Sequence, residues 1–141
     1  MDNMLDYTFY VNGSANRSGT AQNGTNASDT LISLVPDGSY IILLQAIDNA
    51  TNFADSTSII IYVDTANPTV SLTSPQPEES YNSTTVTFNF TASDNMANYL
   101  MCNLSVSNGM NETNINATNG QNISITKSGF VSGTYYWNVV S

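Results

Sequence analysis

The residues that most clearly carry chemistry are asparagines followed two positions later by serine or threonine. This Asn-x-Ser/Thr pattern without an intervening proline is the acceptor sequon for N-linked glycans. A chain this rich in Asn, Ser and Thr is expected to contain about five sequons by composition alone, and it contains more than that. The excess favours heavy N-glycosylation over chance. The sequon asparagines are Asn12, Asn16, Asn23, Asn26, Asn49, Asn82, Asn89, Asn103, Asn111, Asn116 and Asn122.

Two adjacent acids, Glu78 and Glu79, could be compared with the carboxylate pair of a glycoside hydrolase. Adjacent residues in an extended loop point in opposite directions, whereas that chemistry needs two carboxyl groups facing one gap of about 5 to 10 Å. A solvated acidic loop is therefore the favoured interpretation. A carbohydrate-active module is the weaker one.

Acidic and amide side chains near predicted turns form a second candidate site. Oxygen atoms of Asp48, Asn52, Asp64 and Asp94 could hold a Ca²⁺ ion. Asp and Asn are also frequent in turns because they bond to their own backbone, and the chain has no Asp-x-Asp-x-Asp-Gly spacing. The sequence favours turns at these positions, with calcium as the alternative, and predicts no other metal or cofactor.

The composition removes most catalytic chemistry. The chain has no His, one Cys and two basic residues, Arg17 and Lys127. Triads that need His, His-based metal sites and paired-Cys zinc sites are therefore not available within it. The one cysteine, Cys102, is expected to be a small buried apolar residue, not a reactive thiol. We expect a protein that is not an enzyme.

The net charge of −9 also limits the partners. An acidic surface repels nucleic-acid phosphates and anionic lipids. No apolar run approaches the roughly 20 residues of a membrane span. We therefore expect no nucleic-acid binding and no membrane span in this segment.

The elements that carry these residues read as strands. Val86, Phe88, Phe90 and Ala92 alternate with Thr and Asn, which is typical of a strand with one face in a core. Trp137 is expected to pack in the core and not to form a sugar-stacking platform. Asn-Gly pairs at 12–13 and 108–109 predict tight turns. Strands are expected at 57–63, 69–73, 84–92, 100–106 and 122–126, and 115–118 is ambiguous, so the predicted class is all-β.

The two halves of the chain are similar to each other. Asp2-Asn3-Met4 matches residues 94–96 at an offset of 92, and Gly38-Ser39-Tyr40 matches residues 133–135 at an offset of 95. By this match, Thr30 to Val35 corresponds to the strand predicted at 122–126. The period is the length of one β-sandwich domain.

Several short motifs around the middle of the chain carry a resemblance to a known family. Asp48-Asn49-Ala50-Thr51-Asn52, Tyr62-Val63-Asp64, Asn67-Pro68-Thr69-Val70 and Ser74-Pro75 are similar to the "D-x-A-G-N … V-D-x-x-P-x-V … S-P" pattern of prokaryotic Ig-like repeats in large surface proteins. Thr51 stands where the family usually has Gly. The resemblance implies tandem immunoglobulin-like antiparallel β-sandwich domains, extracellular and on the cell surface. Together with the sequon density it favours an archaeal source.

The predicted domains are 1–66, an Ig-like domain without its first strands, and 67–141, an Ig-like domain without its last strand. Pro68 fixes its own φ and extends Asn67, so the two domains are expected to lie end to end. The missing strands leave two alternatives open: a piece of a longer protein, or completion by another chain.

The expected function is a structural or adhesive spacer in a glycosylated surface protein. Its partners would be neighbouring Ig-like domains or identical subunits, together with N-linked glycans. The alternative is a subunit of an extracellular filament in which neighbouring subunits donate the missing strands.

Overall fold

The computed structural model describes residues 3–34 and 36–141, so Asp2 and Val35, each at the end of a predicted match, lie outside the description. Strands account for 55% of the residues, all sheets are antiparallel, and the described residues contain no helix. They accordingly contain no helix long and apolar enough to cross a membrane. The all-β prediction is confirmed. The strands are β1 (Met4–Val11), β2 (Ser14–Gln22), β3 (Gly38–Ile47), β4 (Phe53–Asp55), β5 (Ile59–Val63), β6 (Thr69–Ser74), β7 (Thr85–Ser93), β8 (Tyr99–Val106), β9 (Glu112–Thr118), β10 (Asn122–Ser128) and β11 (Trp137–Val140).

The chain divides into two compact units, a first unit of Met1–Thr65 and a second unit of Ala66–Ser141. The second unit is built from two three-stranded sheets in the orders β10-β7-β6 and β11-β8-β9. Alternate residues of β7 and β8 point into one core, and Phe90, Cys102 and Leu104 are fully buried there. The unit is therefore sandwich-like, with the lone cysteine inside it as expected.

Aromatic rings close one side of this core. The Trp137 ring lies edge-on to Phe88 with centroids 5.1 Å apart, and the Tyr135 ring lies edge-on to Phe130 at 5.0 Å. Edge-to-face contacts at these distances are favourable between aromatic rings. Trp137 is thus used for packing, as the alternation of apolar residues predicted.

The first unit contains a single sheet in the order β2-β1-β3, with β4 and β5 both paired to β3. One face of this sheet, called here the apolar face, carries alternate residues of β1, β3 and β5. Among the described residues of this unit, only Tyr40 and Ile42 are buried hydrophobics. The members of the apolar face are Tyr7, Phe9, Val11, Tyr40, Ile42, Leu44, Ala46, Ile59, Ile61 and Val63.

The strand expected from Thr30 to Val35 is wrong for its described residues, 30–34, which form no strand. Side chains anchor this part of the chain. The Asp29 carboxylate accepts hydrogen bonds from the Tyr7 hydroxyl at 3.2 Å, from Arg17 Nε at 3.1 Å and from the Thr30 N–H at 2.8 Å. The Thr30 N–H contributes most to lowering the pKa of Asp29, and Arg17 and Tyr7 act in the same direction. In the second unit the corresponding strand is β10, which pairs with β7. Among the described residues of the first unit, no strand occupies the position of β7.

The strand pair β1–β3 of the first unit and the strand pair β8–β11 of the second unit have the same register. Val11 lies opposite Ile42, and Val106 lies opposite Trp137, so both residues of the second pair are numbered 95 higher than those of the first. The bounds of β1 and β8 also differ by 95 at both ends. An offset of 95 therefore relates the two units over these strands.

The match of Asp2-Asn3-Met4 to residues 94–96 at an offset of 92 does not agree with this relation. Met4 is the first residue of β1, whereas Met96 lies in a bend three residues before β8 begins at Tyr99. The Met96 N–H instead donates to the Asp94 carboxylate at 2.8 Å. Met96 thus lies in a turn, whereas Met4 begins a strand.

Candidate glycan-acceptor surfaces

All eleven sequon asparagines lie in the described part of the chain, and none of them is buried. Eight are exposed, and Asn16, Asn89 and Asn103 are half-buried. Those within strands place the asparagine and its Ser or Thr on the same side of the strand, because side chains two apart point the same way. Every sequon is thus outside the core.

The sheet β10-β7-β6 has an outer face made of hydroxyl and amide side chains, called here the hydroxyl face. It carries two of the sequon asparagines, Asn89 and Asn122. The other side chains that β7 and β10 contribute to this face are uncharged, and none of them is a large apolar group. The hydroxyl face consists of Thr85, Thr87, Asn89, Thr91 and Ser93 on β7 and Asn122, Ser124, Thr126 and Ser128 on β10.

Side chains on this face bond across the two strands. Ser124 Oγ donates to Asn89 Oδ1 at 2.5 Å, and Asn122 Nδ2 donates to Ser124 Oγ at 3.1 Å. Ser124 is the hydroxyl of the Asn122 sequon and lies directly opposite Asn89. The two sequon asparagines, Asn89 and Asn122, are therefore diagonal neighbours, about 7 to 8 Å apart in an antiparallel strand pair. Glycans on both would project side by side.

In three other sequon asparagines, the side-chain oxygen forms a hydrogen bond within the described part of the fold and the side-chain nitrogen does not. Asn12 Oδ1 accepts the Ile41 N–H at 2.9 Å, and Asn103 Oδ1 accepts the Asn114 N–H at 2.9 Å. Asn111 Oδ1 accepts the Val106 N–H at 2.8 Å. A glycan is attached to the side-chain nitrogen and leaves the oxygen free to accept. The contacts of these three asparagines are compatible with glycosylation.

Asn16 on β2 is different because both ends of its amide are engaged by one residue. Its Nδ2 donates to the Ile32 carbonyl at 2.7 Å while its Oδ1 accepts the Ile32 N–H at 2.9 Å. This two-point contact uses the amide hydrogen on the same side as the oxygen. In a trans N-glycosidic amide the sugar occupies that position, so Asn16 cannot keep the contact and carry a glycan. Nothing in the local sequence signals this contact, which spans sixteen residues.

The turn after β3 contains the Asn49 sequon. The Asp48 carboxylate accepts from Asn52 Nδ2 at 3.0 Å, from the Asn52 N–H at 2.9 Å and from the Ala50 N–H at 2.8 Å. These bonds, that of Asn52 Nδ2 first, lower the pKa of Asp48. Thr51 has a φ of 65°, the left-handed conformation that Gly adopts at low cost. Asn49 itself is exposed.

The calcium candidates are only partly brought together. Asp48 and Asn52 share the turn described above, in which the carboxylate already accepts N–H groups. In the second unit, one oxygen of Asp94 accepts the N–H groups of Met96 and Ala97, both at 2.8 Å. Asp64 is exposed just after β5. Within residues 3–34 and 36–141, no group of three His, Cys, Asp or Glu side chains is placed to hold a metal ion.

The acidic pair Glu78-Glu79 lies in the exposed loop between β6 and β7. One carboxylate oxygen of Glu79 accepts the Gln76 N–H at 2.6 Å, which closes a turn. Glu78 has a φ of 62°. The pair therefore belongs to a tight loop, as the solvated-loop interpretation expected.

Both basic residues of the chain form ion pairs. Arg17 Nε lies 3.1 Å from Asp29, and Lys127 Nζ lies 2.5 Å from Glu112. Lys127 also donates to the Asn111 carbonyl at 3.2 Å. The two cations are thus already engaged by groups of the same chain.

No protein-family model matches the chain, and no curated protein matches it either.

Proposed function

We propose that the chain is a spacer segment of a glycosylated extracellular surface protein built from immunoglobulin-like repeats. The observation that carries the proposal is the relation between the two units at an offset of 95 residues, which is the length of one immunoglobulin-like domain. Repeated domains of this kind add length without needing a catalytic site. An archaeal cell surface is the proposed setting.

The offset extends beyond the strands to particular side-chain contacts. The Tyr40 hydroxyl donates to the Pro36 carbonyl, and the Tyr135 hydroxyl donates to the Val131 carbonyl at 2.8 Å. Both bonds run four residues upstream, near the start of the corresponding strands. A tyrosine corner of this type recurs in immunoglobulin-like sandwiches at the start of strand F. Its presence in both units supports a repeated domain.

The strand order in the second unit supports the same family. If β6, β7, β8 and β9 are strands A, B, C and C′, then β10 is E and β11 is F. The sheets then have the orders E-B-A and F-C-C′, as in an immunoglobulin-like sandwich without strand G. In the first unit β2, β1, β3 and β5 occupy the C′, C, F and G places.

The surface supports a glycosylated spacer. Ten of the eleven sequons have contacts that leave room for a glycan, Asn16 being the exception. The Asn49 sequon depends on Thr51, which occupies a left-handed position where Gly would cost less free energy. A residue held at such a cost points to a use for its hydroxyl. Glycans on strand faces would also hinder sheet-to-sheet association.

Two measurements on the native protein test the proposal. Antibodies raised against the chain should bind intact cells of the source organism, with a cytoplasmic protein as the negative control. Mass spectrometry of the isolated protein should find hexose-containing additions at several of the ten open sequons. Antibody binding only after cell lysis, together with unmodified peptides, would remove the proposal.

A filament subunit is the second candidate, and the apolar face of the first unit is the observation that favours it. Only Tyr40 and Ile42 are buried there, and Ile59 on the same face is 57% exposed. Strands donated by a neighbouring chain would cover this face. Detergent-resistant rods of the native protein would support the filament over the spacer, whereas monomers at micromolar concentration would support the spacer.

A further inference from the structure

Four asparagines of the chain are each followed directly by a glycine, and the structure places the four pairs in different surroundings. The pairs are Asn12-Gly13, Asn23-Gly24, Asn108-Gly109 and Asn119-Gly120. An Asn-Gly pair can lose ammonia without a catalyst, because glycine has no Cβ that would hinder attack of its backbone nitrogen on the asparagine side chain. The reaction needs a side-chain amide that can turn and a glycine N–H that can give up its proton. Hydrogen bonds to either group therefore oppose it.

The pair Asn119-Gly120 has both reacting groups held within the second unit. The Gly120 N–H donates to the Ala92 carbonyl at 2.9 Å. Asn119 Nδ2 donates to the carbonyls of Asp94 and Ala97, each at 2.7 Å, and its Oδ1 accepts the Asp94 N–H at 3.0 Å. Asn119 is half-buried. Attack by the Gly120 nitrogen would have to break these bonds first.

The pair Asn108-Gly109 also has both groups engaged. The Gly109 N–H donates to the Val106 carbonyl at 2.8 Å and so closes the turn after β8. Asn108 Oδ1 accepts the Met110 N–H at 3.2 Å. Loss of the Gly109 proton would leave a negative nitrogen facing a carbonyl oxygen, so the turn protects this pair.

In the pair Asn12-Gly13, only the side chain is held. Val11 lies opposite Ser14, so the pair forms a two-residue turn between β1 and β2. Asn12 Oδ1 accepts the Ile41 N–H at 2.9 Å. Among the described residues, none accepts the Gly13 N–H. The glycine nitrogen can therefore react, but the side chain must first leave Ile41.

The pair Asn23-Gly24 follows β2 directly and has neither group held. Residues 22–25 form a turn in which the Thr25 N–H donates to the Gln22 carbonyl at 3.1 Å. Within residues 3–34 and 36–141, no group bonds to the Asn23 side chain or accepts the Gly24 N–H. Asn23 and Gly24 are both exposed. This pair therefore meets the two requirements of the reaction.

The turn around Asn119 is a natural control for the turn around Asn23, because the two pairs occupy the same positions. Residues 118–121 form a turn closed by a 3.1 Å backbone bond, as in the turn around Asn23. Gly24 and Gly120 have φ values of 77° and 70°. The clearest difference between the two pairs is therefore the set of bonds that hold Asn119 and Gly120.

We infer that Asn23 is a site of spontaneous deamidation in the folded, unglycosylated chain, and that the fold protects the other three pairs. The Gly24 nitrogen forms a bond to Asn23 Cγ, the bond from Cγ to Nδ2 breaks, and Nδ2 leaves as ammonia with the proton lost by Gly24. Water then opens the succinimide ring. Opening at Cγ gives aspartate, and opening at the main-chain carbonyl of Asn23 gives isoaspartate. Both products lack the amide, so the reaction also removes Asn23 as a glycan acceptor.

The inference concerns one turn of the bare chain and does not rest on the spacer role. Its failure would leave the cell-surface and glycan measurements unaffected. Failure of those measurements would equally leave the reactivity of Asn23 unchanged.

Incubation of the full unglycosylated chain in mildly alkaline buffer made with heavy-oxygen water tests the inference. Peptide mass spectrometry gives the rate of conversion at each pair, since every new carboxylate carries the label. Asn12 should convert about three- to tenfold more slowly than Asn23, because one hydrogen bond must break first. Asn108 should be about tenfold slower or more, and Asn119 about a hundredfold slower or more, because more bonds oppose the reaction.

The same chain unfolded in urea provides the reference. Without the fold the hydrogen bonds are lost, so all four pairs should convert at similar rates. Conversion of Asn108 or Asn119 as fast as Asn23 in the folded chain would overturn the inference. Conversion of Asn23 only after unfolding would overturn it as well.

Gly24→Asn tests the attacking nitrogen. Asn tolerates a positive φ, so the turn can be kept, whereas its Cβ hinders the attack. Conversion of Asn23 should fall severalfold, while conversion of Asn12 in the same molecule should be unchanged. Amide exchange at Thr25 reports whether its bond to Gln22 is kept. An unchanged rate at Asn23 in this variant would show that the amide is lost by another route and would refute the assignment.

Discussion

The two units contain a strand pair with the same register, yet they differ in how much apolar surface they bury. β1 and β3 in the first unit have the register of β8 and β11 in the second. Leu104 on β8 is 0% exposed, whereas its counterpart on β1, Phe9, is half-buried. In the second unit, the sheet β10-β7-β6 packs over these strands. In the described part of the first unit, a segment without a strand is held instead by hydrogen bonds of Asp29 and Asn16.

This difference separates two contributions to the fold. Strand pairing and register require only neighbouring strands and their turns, and they are the same in both units. Burial requires a second layer, because the apolar face of a single sheet stays exposed to solvent until another element packs on it. Most hydrophobic stabilisation is therefore expected in the second unit.

The largest effect is expected when the side chains at two equivalent positions, Leu104 and Phe9, are truncated to alanine. Leu104→Ala should destabilise the second unit by about 2 to 5 kcal/mol, because it leaves a cavity in a closed core. Phe9→Ala should cost the first unit only about 1 kcal/mol, because its ring is partly solvated. Urea unfolding followed by Trp137 fluorescence measures the first value, and amide exchange in β1 and β3 measures the second.

Ser105→Ala, an exposed neighbour of Leu104 on the outer face, serves as the control and should change stability by about 0.5 kcal/mol at most. Equal costs for Leu104→Ala and Phe9→Ala would break the comparison. They would show that the first unit's apolar face is as well covered as the core of the second.

The next test concerns the segment that lies against the first unit's sheet. Asn16→Ala removes two hydrogen bonds to Ile32 and should destabilise this segment by about 1 to 2 kcal/mol. Asn111→Ala in the second unit removes one bond, to the Val106 N–H, and should cost about half as much. Amide exchange at Ile32 and Val106 reports each loss.

Site-resolved mass spectrometry of the native protein sharpens the same point. Asn16 should be unmodified while Asn12, in the adjacent turn, carries a glycan. A glycan at Asn16 in a protein whose Ile32 amide is still protected would contradict the two-point contact.

The tyrosine corner should contribute equally to both units, in contrast to the core. Tyr40→Phe and Tyr135→Phe each remove one hydroxyl bond to a carbonyl and should each cost about 1 kcal/mol. The two values should agree within about 0.5 kcal/mol, because the ring remains in place and only the hydroxyl is lost. A measurable cost in one unit alone would remove the corner as a shared feature.

The alternation of apolar residues predicted the strands of the second unit well. β7 follows directly from Val86, Phe88, Phe90 and Ala92, because period-two alternation is a local property of a half-buried strand. The Asn-Gly turns were equally local: Gly13 and Gly109 have φ values of 82° and 86°. These features require no knowledge of the rest of the fold.

The errors arise where the conformation depends on distant residues. The segment from Thr30 has the composition of a strand, but it bonds to Asn16 and Asp29 side chains instead of a strand. The glycan acceptor predicted at Asn16 is not one of these errors and stays a prediction; the sequence pattern simply does not distinguish Asn16 from Asn12, whereas the contact with Ile32 does. The offset of 92 rests on identical residues alone. The true relation between the units depends on the register of the paired strands, which the sequence does not show.

The smallest effect is expected from pH, in the turn after β3 of the first unit. The bonds from Asn52 and Ala50 lower the folded-state pKa of Asp48 below its ordinary value of 3.8. A group with a lowered folded pKa stabilises the fold above its unfolded pKa, and this contribution is lost as the pH falls through the folded value. Amide protection at Ala50 and Asn52 should therefore be constant at neutral pH and decline below about pH 4.

Asp48→Asn keeps a side-chain oxygen that can accept these bonds but removes the charge, so protection should be weaker at neutral pH and nearly independent of pH. Amides of β7 and β8 in the second unit provide the reference, because their strand bonds involve no titrating group. If the Asp48 protein and the Asn variant lost protection in parallel with these reference amides, acid would be acting on the whole molecule, and the turn would have no pH response of its own.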